Sequence, residues 1–74
     1  MFVIAAKNKI NEQCFYAVDL SSGMPYMTGN INSFYIFSSY TDATNASYSI
    51  PDYLVQDHDD FDIFQISLAS IGAQ

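Results

Sequence analysis

The stretch Asp57-His58-Asp59-Asp60-Phe61-Asp62-Ile63-Phe64-Gln65-Ile66-Ser67-Leu68-Ala69 decides the fold. It opens as the most acidic segment of the chain and closes as its clearest strand. From Asp62 onward, Phe64, Ile66 and Leu68 alternate with Gln65 and Ser67. That is the period of two expected of a strand with one buried face. The rest of the chain has to cover this face, and the acidic lip in front of it is the candidate working surface.

Moving upstream, Pro51 disfavours helical geometry at Ile50, and residues 51–56 read as a crossing segment that leads to the lip. Before it, Ser39-Tyr40-Thr41-Asp42 has capping-box spacing, in which the Ser39 hydroxyl takes the third amide and the acid reaches back. Tyr40, Ala43, Ala46 or Ser47, and Ile50 then fall at helical spacing, which predicts a short amphipathic helix over 40–50. Thr44, Asn45, Ser47 and Ser49 are weak helix formers, so this helix depends on tertiary packing. Phe34-Tyr35-Ile36-Phe37 has the length and composition of a buried strand.

In the first third, Phe2-Val3-Ile4-Ala5-Ala6-Lys7 reads as a strand with Phe2, Ile4 and Ala6 on one face. Residues 8–12 supply turn chemistry, since Asn tolerates positive φ and bonds its own backbone. Residues 14–19 form the second strand of the hairpin. Tyr26-Met27-Thr28 adds a short strand after the loop of residues 20–25, and Asn30 caps one turn through Ile31 and Ser33. The fold class is therefore α+β. A small antiparallel sheet, a β-β-β-α-β meander, is covered on one face by a single short helix, and the last strand returns beside the first.

Seventy-four residues make one domain, 1–74, whose small size allows only about 60–65 % of its unfolded surface to be buried. Half of the residues are hydrophobic, which argues against disorder despite a net charge of -6. With six Tyr and six Phe, some aromatics must stay exposed, and exposed aromatics mark partner surfaces. Cys14 is the only cysteine, so no internal disulfide forms; inside an apolar strand it reads as a small buried hydrophobe. The apolar run 1–6 is too short for a signal peptide or a membrane span. The expectation is a soluble intracellular protein, with the sequon Asn45-Ala46-Ser47 idle.

Lys7 and Lys9 stand against Glu12 and seven Asp. Gripping phosphates needs Lys and Arg, so direct nucleic-acid binding is not expected, and an acidic membrane surface would repel the chain. The partner it suits is a basic protein surface. Asp52, Asp57, Asp59, Asp60 and Asp62 place five of eight acids within eleven residues. The ordinary reading of such a run is a solvated loop that keeps a hydrophobic protein soluble. A divalent-cation site using Asp57, Asp59 and His58 lacks the glycine and closing glutamate of an EF-hand. Paired carboxylates for acid/base catalysis lack a matching nucleophile and a polar cleft, so neither enzyme chemistry nor a metal or cofactor is expected.

The remaining reading is a protein–protein surface. Asp52, Asp57, Asp59, Asp60 and Asp62 would meet Arg and Lys of a partner, while Tyr48, Tyr53 and Phe61, with Tyr40 nearby, supply hot-spot contacts. Acids at irregular spacing imitate a phosphate backbone. His58 between acids reads as a local ion pair. Met24, Pro25, Tyr26 and Met27 read as a lid on the core edge, with an adaptable binding loop as the alternative.

Several features together resemble the small accessory proteins that bacteriophages encode in clusters. They are the opening Met1-Phe2-Val3-Ile4 strand, the hairpin at 8–13, Tyr26-Met27-Thr28 followed by Asn30-Ile31, Phe37-Ser38-Ser39 leading into Asp42-Ala43, and the closing Phe61-Asp62-Ile63-Phe64. The helix is poorer in Ala, Glu and Lys than is usual there. The resemblance implies an anti-CRISPR-like or anti-restriction-like inhibitor, acidic and non-enzymatic, that acts on a CRISPR-Cas, restriction or transcription component. As a monomer or homodimer, it would block a nucleic-acid-binding surface of that component. The alternatives are a self-associating module, pairing through 34–37 or the first hairpin, and a metal-binding regulator.

Overall fold

The sheet is built outward from β1, Phe2–Asn8, a run of small and β-branched residues in which Val3, Ile4, Ala5 and Ala6 are all buried. A strand apolar on both faces belongs in the middle of a sheet. β1 pairs antiparallel with β2 (Cys14–Ala17) on one side and with β4 (His58–Gln65) on the other. The two-residue β3, Met27–Thr28, adds to β2 and gives the order β3-β2-β1-β4. The computed structural model describes residues 1–21, 23–30 and 32–67.

Asn8 organises the hairpin turn: its side-chain oxygen accepts from the amides of Ile10 and Asn11, 2.9 and 3.2 Å away. The positive φ falls on Glu12, at 60°, rather than on an asparagine. The expected turn after Asn30 is present, with Ser33 N–H on the Asn30 carbonyl at 2.9 Å.

Helix α1, Tyr40–Ser47, starts at Ser39, whose hydroxyl accepts the Asp42 amide at 3.1 Å. The reciprocal arm of the capping box goes elsewhere, since the Asp42 carboxylate accepts from the Ser38 hydroxyl at 3.1 Å. The helix stops short of Ile50. Tyr48 and Ser49 bond back only three residues, the tightened last turn of a helix running into weak formers and a proline. A second helix, α2 (Asp52–Asp57), follows Pro51, where the sequence suggested only a crossing segment. Proline's fixed φ, -67° here, sets up that start, and Asp52 complements the first-turn dipole.

The fold is α+β, an antiparallel sheet with its helices on one face. Ile4, Ala17, Leu20, Phe37, Ala43 and Leu54 form the core, with Phe2, Phe61 and Ile63 packed against it. Residues 34–37 do not make a strand; they contribute one bridge, Phe37 with Phe2, through paired bonds of 2.8 and 2.9 Å. The homodimer reading changes with this, because the first hairpin is interior and the sheet edges are β3 and β4. The alternation in β4 is present with the opposite phase. Ile63 pairs with Ile4 and turns inward, while Phe64 pairs with Val3 and is 50 % exposed. Leu68, expected on the inner face, lies outside the described residues. Cys14 is exposed rather than buried, because it pairs with Lys7 on the helix-free face.

Candidate functional site

The acidic lip is regular structure, not a loop. Asp52 and Asp57 are the first and last residues of α2, and Asp59, Asp60 and Asp62 are on β4. Directly opposed residues of an antiparallel pair project from the same face. Asp59 faces Lys7 and Asp62 faces Ala5, so both project from the sheet's helix-free side.

Between them the register slips by one residue, with Asp60 in the left-handed region at φ 56°. This bulge puts two residues of β4 against one of β1 and lets both His58 and Phe61 turn inward despite their odd spacing. Asp is among the few non-glycine residues that adopt this conformation readily.

All five carboxylates are on exposed residues. Lys9 Nζ lies 3.6 Å from Asp59, an exposed contact worth about 0–1 kcal/mol. Among the described residues, no hydrogen bond or ion pair reaches the side chains of Asp52, Asp57 or Asp60. Nor do three His, Cys, Asp or Glu side chains there gather as a metal site would need.

The aromatic residues expected beside the lip divide. Tyr48, just after α1, is 81 % exposed. Tyr53 on α2 is partly exposed, and its hydroxyl donates to the Pro25 carbonyl at 2.6 Å. Tyr53 thereby ties the 23–26 loop to the helix, with Pro25 buried beneath exposed Met24 and Tyr26. Phe61 packs inward, so it supports the surface from below rather than lining it. Tyr40 sits edge-on against Phe2 at 5.7 Å. Phe64, expected on the buried face, shares the outward face with Asp62.

His58 is turned away from its acidic neighbours and buried. Its Nδ1 lies 3.1 Å from the Leu54 carbonyl, its Nε2 3.5 Å from Asn8 Nδ2, and its ring meets Phe15 and Phe61 edge-on. Its role is to join the end of α2 to the start of β4, not to form the ion pair its neighbours suggested.

No protein-family model, curated protein or solved structure matches the chain. No helix among the described residues is long and apolar enough to cross a membrane. Function therefore rests on the chain's own geometry.

Proposed function

We propose that this chain is a non-enzymatic binding protein that covers a basic, nucleic-acid-binding surface of another protein. The phage-inhibitor resemblance of its sequence suggests a component of a bacterial defence or transcription complex as that protein. One observation carries the reading: five Asp on two ordered elements, α2 and β4, exposed in a chain with two basic side chains. Carboxylates on a fixed backbone can be matched by bidentate arginines at low entropic cost, which a mobile loop does not offer. Phe64 shares the helix-free face with Asp59 and Asp62, and Tyr53 stands on α2 with Asp52 and Asp57, so each group of acids has a partly exposed aromatic residue on its own element.

Acids and a bulge on a terminal strand also protect it from pairing with a stray edge. That protective role predicts no partner, and the two readings part experimentally. The immobilised protein is exposed to bacterial lysate beside a variant with Asp57→Asn, Asp59→Asn and Asp60→Asn. Proteins retained by the wild type, displaced by duplex DNA and lost from the variant are the expected result. Identical retention on both, unaffected by DNA, overturns the proposal.

A further inference from the structure

On the helix-covered side, away from the lip, a cleft of about 290 Å³ opens between the 19–21 turn, residues 35–38 and α1. Its floor is apolar, made by Leu20, Phe37 and Ala46. Two acidic residues from different parts of the chain, Asp19 and Asp42, line it together with Tyr35. Among the described residues, no Lys, Arg or His lines it.

Each carboxylate is held in place. The Ser21 hydroxyl and amide both donate to one oxygen of Asp19, at 2.6 and 2.9 Å. Asp42 is fixed by the helix and by the Ser38 hydroxyl. The Ser21 hydroxyl bond, with the Ser21 amide bond beside it, holds the Asp19 carboxyl below its ordinary value of 3.8, so it remains charged to lower pH. Tyr35 is braced edge-on against Phe37 at 4.8 Å, which fixes its ring at the cleft wall.

We infer that this cleft is a binding site for an alkyl-guanidinium or alkyl-ammonium group, with the methylene stem on the apolar floor and the charged head between the two carboxylates. The combination is specific to that chemistry. An anion is repelled by both walls, and a neutral apolar ligand gains nothing from either carboxylate. A small, strongly hydrated metal ion has no use for a floor of Leu20, Phe37 and Ala46. Carboxylates with an aromatic wall suit a guanidinium, which forms bidentate bonds and stacks on rings. The source of the group is either an arginine or lysine of a partner protein or a free small amine. The site does not depend on the role proposed for the lip.

The test is an amide-resolved NMR titration of the isolated protein with Nα-acetyl-arginine methylamide, beside its neutral citrulline counterpart. Saturable shifts of the Leu20, Tyr35, Phe37, Ala46 and Ser49 amides with the arginine probe alone are expected. Asp42→Asn and Asp19→Asn, each checked for folding by circular dichroism, should weaken binding by about tenfold, the loss of one charge-assisted hydrogen bond. No saturable shift, equal response to citrulline, or binding unchanged in both folded variants overturns the inference. If the probe binds, loss of lysate partners from the Asp19→Asn variant identifies a partner side chain as its source. Retention of those partners identifies a free amine, and both results support the site. Probe failure alongside DNA-displaceable partners overturns the cleft alone.

Discussion

His58 Nδ1 lies 3.1 Å from the carbonyl oxygen of Leu54, one helical turn back, and this contact joins α2 to β4. It sets the angle at which the acidic residues on either side are presented. His58→Ala removes the contact and the ring packing against Phe15 and Phe61. A loss of about 2–4 kcal/mol in urea denaturation is expected. A loss below about 0.5 kcal/mol, the level of an ordinary surface change, would show that the ring is not a structural joint.

Core and surface in the sheet are separated by a pair of substitutions. Ile4→Ala should cost about 2–5 kcal/mol, and Phe64→Ala less than half of that, because Phe64 is already half exposed to water. Equal costs would contradict the strand's assigned phase.

That phase shows how far the sequence could be read. A final strand that returns beside β1 is legible in the sequence, although it starts at His58 rather than Asp62, and so is the Ser39 cap. The choice of inner face fails because both phases of the 61–66 run carry apolar residues: Phe61 and Ile63 on one, Phe64 and Ile66 on the other. Asp62 is in step with Phe64, so a charge on that face was the available signal for turning it outward. The helix after Pro51 was hidden by its length, since six residues carry too little periodicity to stand out from a connection. Cys14 read as core because its strand is apolar, but it pairs with Lys7 at the exposed end of the helix-free face. For the lip, composition identified the acids. The bulge at Asp60, which fixes where they point, depends on pairing with β1 and has no local signature.

Asp60 itself gives a backbone test. At φ 56°, Asp60→Gly should leave stability unchanged or slightly higher. Asp60→Val, branched at Cβ, should cost about 1–2 kcal/mol. A harmless valine would contradict the left-handed bulge.

The Cys14 thiol, exposed on the sheet, should react with a disulfide reagent in native buffer almost as fast as in denaturant. Reaction that waits for unfolding would place it in the core after all.

Ser21 holds the Asp19 carboxyl below 3.8, so the folded state binds that proton more weakly than the unfolded chain. The stabilisation is present above 3.8 and is lost as pH falls below it, through the folded value. Ser21→Ala removes the largest cause, and the carboxyl's NMR titration midpoint should rise towards 3.8. An unmoved midpoint would mean that the hydroxyl bond does not form in solution.

The most direct measurement is carboxyl labelling with a carbodiimide and glycinamide, read by mass spectrometry on the free protein and on the protein with its DNA-displaceable partner bound. Severalfold protection of Asp57, Asp59 and Asp60 in the complex is the result expected of an acidic surface seated on a basic one. Full labelling of those three carboxylates in a stable complex would contradict it.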